Sequence, residues 1–235
     1  MPVSPKKLYD VLLGHFGHLH WWPVDTQYHK KQGSDPRFEI MVGAILTQNT
    51  AWSNVEKALA NLKQQRLLSL SGIVDAEDSF LKTLIQPSGF FNQKAQRLKN
   101  LSFYLRENYN DDLDLFFHRD ATKVRTELLS LSGIGFETAD SMLLYAGNHP
   151  VFVVDAYTKR VSTRIPFSIF ENTYEATQQF FEEKFTQTFP QDKLVSVYQD
   201  VHALIVELAK QYCTKKNPTC PKCPLRTYCG SSSVF

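Results

Sequence analysis

Cysteine is absent from the first 212 residues of this 235-residue chain; all four cysteines fall between 213 and 229, so thiols are not scattered through a core. No long apolar run is present either. The segment MPVSPKKLYDVLLGHFGHLHWWP has no uninterrupted apolar stretch and no small-residue cleavage site, and nothing reaches bilayer-spanning length. The expectation is a cytoplasmic protein that does not use a membrane, in a compartment where free thiolates survive to bind metal. Charge of one sign is lacking too: 26 basic against 24 acidic residues leave a net charge of +2, so any nucleic-acid surface must be local. Low-complexity tracts and repeats of solenoid length are missing. The one strand-like run, Val151 to Val154, is too short and isolated to found a sheet.

What remains is helical periodicity. Ser4-Pro5 offers an N-cap and a first-turn proline ahead of Leu8, Leu12 and Phe16 on one face. Asp35-Pro36 repeats the device before Phe38, Met41, Val42, Ile45 and Leu46. Apolar stripes continue through Trp52, Val55, Leu59 and Leu62, through Ala95, Leu98, Leu101 and Leu105, and over Tyr174 to Phe189 and Leu194 to Tyr212. The fold class is all-α. Breaks at Gly33-Ser34-Asp35-Pro36 and Gly147-Asn148-His149-Pro150 bracket a central block, which predicts one lobe over 36–147 and a second built from 1–35 plus 148–235.

The cysteines form Cys213-x6-Cys220-x2-Cys223-x5-Cys229 in a Pro/Lys-rich segment without helical period. Four thiols so close in sequence can converge on one metal centre. Structural zinc usually takes its ligands as two close pairs, and only Cys220 and Cys223 make a CxxC; uneven spacing suits an iron–sulfur cube at least as well. Spacing alone leaves both open.

Between Lys123 and Gly147 an amphipathic helix, a Gly133-Ile134-Gly135 turn and a second amphipathic helix follow one another. Two glycines flanking an aliphatic residue let a backbone pass close to a partner while Ile134 pins the turn, and the start of the second helix favours an anion such as phosphate. That is a helix-hairpin-helix pattern, although any αα-hairpin can use a Gly-x-Gly turn. Twenty residues beyond Gly135, Asp155 ends an apolar run and precedes a helix; it is suited to capping that helix and equally to presenting a carboxylate to a substrate.

Hairpin, Val-Asp segment and cysteine loop in this order resemble the endonuclease III superfamily of base-excision DNA glycosylases. The similarity runs from about Phe38 to Cys229 and includes Leu46-Thr47-Gln48-Asn49 and Gly89-Phe90-Phe91-Asn92-Gln93-Lys94-Ala95. The cysteine intervals agree with that family's [4Fe-4S] loop, which favours iron over zinc. The resemblance implies a six-helix barrel lobe carrying the hairpin, and a second lobe ending in the iron–sulfur loop 213–229. It also implies a monomer that binds double-stranded DNA containing a damaged base across the cleft between the lobes. Asp155 falls on the family's catalytic aspartate, where a carboxylate stabilises oxocarbenium charge on deoxyribose and helps orient or deprotonate the attacking water. Gln48 matches the residue that fills the gap left by base flipping, and Gly133, Ile134 and Gly135 match the DNA-backbone grip. Lys215, Lys216, Lys222 and Arg226, in the cysteine loop, are placed to contact phosphate.

The departure from the family pattern is Glu137. Members that also cut the strand carry a lysine two residues after the second hairpin glycine, whose amine forms a Schiff base with the sugar; a carboxylate cannot. The expectation is a monofunctional glycosylase. Glu137 together with Trp21-Trp22-Pro23 and the Leu46–Thr50 segment followed by Trp52 resembles the bacterial 3-methyladenine glycosylases of endonuclease III type. Trp22, Pro23, Trp52 and Glu137 are then the implied base-pocket residues, against the plainer reading that the tryptophans pack a helix junction. Tyr157 and His202 are read as packing or supporting groups. Competing readings are a glycosylase for a mismatched or deaminated pyrimidine, a lyase that uses another amine, and a non-catalytic iron–sulfur protein that binds DNA or senses redox state.

Overall fold

A computed structural model describes residues 3–230 apart from 168, 170 and 172. Regular structure among these residues is entirely helical. In chain order the α-helices are α1 (Pro5–Phe16), α2 (Thr26–Gln32), α3 (Pro36–Leu46), α4 (Trp52–Gln64), α5 (Leu70–Asp75), α6 (Asp78–Ile85) and α7 (Phe91–Tyr109). They continue as α8 (Leu113–Phe117), α9 (Ala121–Ser130), α10 (Phe136–Tyr145), α11 (Ala156–Arg164), α12 (Tyr174–Thr186) and α13 (Leu194–Gln211). No helix among the described residues is long and apolar enough to cross a membrane.

The chain divides into a central unit, Trp22–His149, and a terminal unit, Met1–Trp21 with Pro150–Phe235. The core of the central unit is α3. Asp35 caps it by accepting from the Arg37 amide, Pro36 sets its first turn, and every residue from Phe38 to Leu46 is buried. A helix buried on all sides is a core element, not a surface one. Each fully buried Met41, Val42, Ile45 or Leu46 contributes about 1.5–3 kcal/mol over an exposed side chain. Around α3 pack α4, α7 and α10.

The unit starts at Trp22, not at the expected residue 36, and the reason is a buried ionic network. Glu39 in α3 holds His29 of α2 at 2.9 Å and Lys63 of α4 at 2.6 Å, and its carboxylate also accepts from the Asp25 amide at 3.1 Å. Burial pushes the Glu39 carboxyl up, but these partners outweigh it and hold it below the usual carboxylate range. Stranding that charge would be costly, so α2 is bound to the central helices.

In the terminal unit α1, α11, α12 and α13 pack together. Val151 to Val154 is extended but joins no sheet; side chains of α12 take up its polar backbone. Phe152 N–H donates to Glu182 at 2.8 Å, and Gln178 donates to the Phe152 carbonyl at 2.7 Å. The Phe152 ring stacks on Phe181 with centroids 4.6 Å apart, fixing the strand-like run against the core.

Candidate functional site

The Gly133-Ile134-Gly135 turn joins α9 to α10 as the sequence predicts. Ile134 is buried and its amide donates to the Leu131 carbonyl at 3.1 Å, closing the turn. Gly133 has φ +84°, and a Cβ there would collide with the Arg97 side chain, so conformation and space both exclude a side chain. Gly135 caps α10 without a side chain and faces open space. Arg125 of α9 binds buried Asp140 of α10 through two hydrogen bonds of 2.6 and 2.9 Å, and its guanidinium lies 4.9 Å from the Phe136 ring centroid. This planar two-point pairing locks the angle between the hairpin helices.

Gln48 is brought to this turn. Its Nε2 donates to the Gly133 carbonyl at 3.0 Å and to Thr138 Oγ1 at 2.9 Å, and its Oε1 accepts from Arg97. Phe90 stands at the start of α7, 63% exposed and at φ +46°, a conformation that bulky side chains rarely adopt. Ser88, two residues earlier, accepts from Thr50 of the Gln48 segment. Neither Arg97 nor Phe90 was singled out from the sequence. The only local signal was the Gly89–Ala95 segment in which Phe90 lies.

Trp22 and Trp52 also come together, with ring centroids 5.4 Å apart and planes nearly perpendicular. Tyr145, unremarked in the sequence, meets Trp22 at the same distance. Gly43 makes room for this group: a Cβ there would come within 3.0 Å of Trp22 Cζ2. Pro23 is exposed beside Trp22, and Glu137 is exposed in the first turn of α10, where a carboxylate favours the helix dipole.

In the terminal unit Asp155 is the N-cap of α11. Its Oδ1 accepts from the Thr158 amide at 2.6 Å and its Oδ2 lies 3.6 Å from His202 Nε2 on α13. Burial pushes the Asp155 carboxyl up, but His202 and the Thr158 amide outweigh burial and keep it below its ordinary value. The site holds an ionised carboxylate with little water around it, an arrangement suited to stabilising nearby positive charge. Tyr157 lies under the Arg160 guanidinium at 5.1 Å, a packing role.

No disulfide joins the four cysteines, and all four are half-buried. Burial pushes the Cys223 thiol up, and the charge of Cys213, Cys229 and Cys220 adds to the effect. Among the described residues no three His, Cys, Asp or Glu side chains gather around a point suited to a single metal ion. Arg164, the last residue of α11, donates to Cys213 Sγ at 3.2 Å and to the Thr214 and Lys215 carbonyls, while its own carbonyl lies 3.3 Å from Cys229 Sγ. Arg160 adds a bond to the Cys213 carbonyl at 2.8 Å. A soft, all-thiol donor set with a guanidinium beside it fits an iron–sulfur cluster with net negative charge. Lys215, Lys216, Lys222 and Arg226 are exposed on this loop.

Comparison with known proteins identifies the family. A protein of Methanocaldococcus jannaschii named as a DNA repair glycosylase is 43% identical over 226 residues, 96% of this chain and 95% of that protein. Endonuclease III of Thermotoga maritima is 29% identical over 86% of this chain and 84% of its own length. The crystal structure of a Helicobacter pylori 3-methyladenine DNA glycosylase bound to 1,N6-ethenoadenine matches with a TM-score of 0.70 at 28% identity, covering 89% of this chain and 98% of that one. A trapped endonuclease III–DNA covalent intermediate shares the fold, with a TM-score of 0.76 at 21% identity over 99% and 98% of the two chains. Residues 42–187 match the model of the HhH-GPD superfamily base excision DNA repair proteins, and the chain belongs to that family.

Proposed function

We propose that this DNA N-glycosylase is monofunctional and releases an alkylated purine, 3-methyladenine first among them, from double-stranded DNA. The observation that carries the monofunctional half is Glu137: the hairpin presents a carboxylate where a lyase needs an amine. The lesion class is supported by Trp22, which packs edge to face with both Trp52 and Tyr145. A purine alkylated at N3 is cationic, so it is drawn to aromatic faces and leaves without a strong general acid. The 28% identical relative named as a 3-methyladenine glycosylase supports the same class.

Asp155 is assigned as the catalytic carboxylate. Kept ionised by His202 and the Thr158 amide, it stabilises the oxocarbenium charge that develops as the glycosidic bond breaks and orients the attacking water. Gln48 enters the space left by the flipped nucleotide, while Gly133, Ile134 and Gly135 let the backbone of the hairpin approach a phosphate. Cys213, Cys220, Cys223 and Cys229 would hold a [4Fe-4S] cluster, which when bound ties the loop together and takes no part in base release. The exposed lysines and Arg226 of that loop then meet DNA phosphates.

The test is incubation with methylating-agent-treated duplex DNA, chromatography of the released bases and an alkali-free strand-cleavage assay alongside. Release of 3-methyladenine with intact strands is expected. Release only from mismatched or deaminated pyrimidine substrates would move the lesion class, and prompt alkali-free cleavage would show that another amine serves.

A further inference from the structure

The Gly89–Ala95 segment resembles the family pattern, yet base release as described above gives no task to its Lys94, nor to Arg97 one turn later. Both project from α7 toward the segment that carries Gln48. Lys94 is almost fully buried and spends its three ammonium hydrogens on the Leu46 carbonyl at 2.8 Å, the Ser88 carbonyl at 2.7 Å and Thr50 Oγ1 at 2.9 Å. It therefore ties both ends of segment 46–50 to α7. Arg97 acts on the middle of the same segment. Its stem lies against Gly133, and its Nη1 donates to Gln48 Oε1.

A guanidinium offers donors only, so Gln48 must turn its oxygen toward Arg97. That leaves the NH2 group for two acceptors, the Gly133 carbonyl and Thr138 Oγ1. Thr138 Oγ1 can donate as well as accept, so the orientation is set from two sides, by the Gly133 carbonyl, which only accepts, and by Arg97, which only donates.

We infer that Arg97 is a positioning residue for Gln48: it holds the oxygen end of the Gln48 amide while the Gly133 carbonyl holds the NH2 end, so that the group entering the duplex is ordered before DNA binds. This rests on the reading that Gln48 faces the gap left by base flipping. Ordering a rotamer-rich side chain in advance removes that cost from binding, which is how preorganisation raises affinity. Arg97 also joins the Gln48 segment to the phosphate-gripping turn, so the two DNA contacts arrive in one register.

The experiment measures binding of the full chain to duplex DNA holding a single tetrahydrofuran abasic-site analogue, and to the undamaged duplex, by fluorescence anisotropy across a salt series. The variants are Arg97→Met, which keeps the stem packed on Gly133, Gln48→Ala, and the two combined. Loss of a hydrogen bond to a charged group predicts that Arg97→Met weakens binding to the abasic duplex by about tenfold with an unchanged salt slope. In the Gln48→Ala background the same substitution is expected to change affinity less than about twofold, because coupled residues are non-additive. Thr138→Val, which removes an acceptor from the other side of the amide with little change of shape, should show the same dependence on Gln48. Equal losses in both backgrounds, or no loss at all, overturn the inference. So does a salt slope that falls by about one, the mark of a direct phosphate contact. Wild-type protein that binds the abasic duplex no more tightly than the undamaged one overturns the functional reading, and this inference with it.

Discussion

Asp155 and Arg164 stand at opposite ends of one helix: Asp155 caps the start of α11, and Arg164, its last residue, grips Cys213 and the carbonyls beyond it. The nine-residue helix spans about 14 Å, and it is a direct mechanical link between the assigned catalytic carboxylate and the cysteine loop. Loss of the loop's structure is therefore felt at the position of Asp155 as well as at the basic surface.

With the proposed [4Fe-4S] cluster held by the four cysteines, Cys220→Ser should lose its visible absorption and bind DNA less tightly, with a shallower salt dependence as Lys215, Lys216, Lys222 and Arg226 leave their places. Every phosphate that is no longer neutralised lowers the slope by about 0.9. Anisotropy titrations at several salt concentrations measure it, and an unchanged slope would detach the loop from DNA binding.

Asp155→Asn should lower base release about a thousandfold while DNA binding persists, because asparagine caps a helix as well as aspartate but carries no charge. The linkage to stability has a definite sign. The folded carboxyl lies below its ordinary value, so its ionised form contributes stability that is complete above the unfolded value of about 3.9 and is lost as pH falls through the folded value. Denaturant midpoints between pH 3 and 6 should fall more steeply for wild type than for Asp155→Asn. His202→Ala removes the group that opposes burial, and the acidic limb of the pH–rate profile should move upward.

Lys94→Met should cost about 2 kcal/mol or more at neutral pH, since it strands the buried Leu46 carbonyl and leaves the Ser88 carbonyl with Thr50 as its remaining donor. Burial, with Arg97 nearby, pushes the Lys94 ammonium down to about 8 from 10.5. Between those values the unfolded chain holds more protons than the folded one, so this group raises stability as pH rises through that window. Urea midpoints from pH 7 to 10 should show the advantage of wild type over Lys94→Met growing with pH. A constant difference would contradict the lowered value.

Glu137→Lys places an amine at the hairpin position from which relatives attack the sugar. Borohydride should then trap a covalent protein–DNA adduct on abasic duplex, and strand cleavage should appear without alkali. Absence of any adduct from a folded, DNA-binding variant would mean that this position does not reach the sugar.

The sequence by itself determined the features that depend on neighbours a few residues apart. Helices follow from apolar spacing, as in Leu8–Leu12 and Val55–Leu59–Leu62, and their starts from Ser4-Pro5 and Asp35-Pro36, because capping and periodicity are local. The Gly133-Ile134-Gly135 turn and the capping role of Asp155 were legible for the same reason. Only the tertiary structure decided which distant side chains share a charge or a face. Glu39 captures α2 through His29, Arg97 orients Gln48 on the hairpin, Tyr145 joins Trp22 and Trp52, and His202 opposes the effect of burial on Asp155. In each case a buried or half-buried polar or aromatic group finds its partner across many residues of sequence, and spacing along the chain carries no trace of that distance.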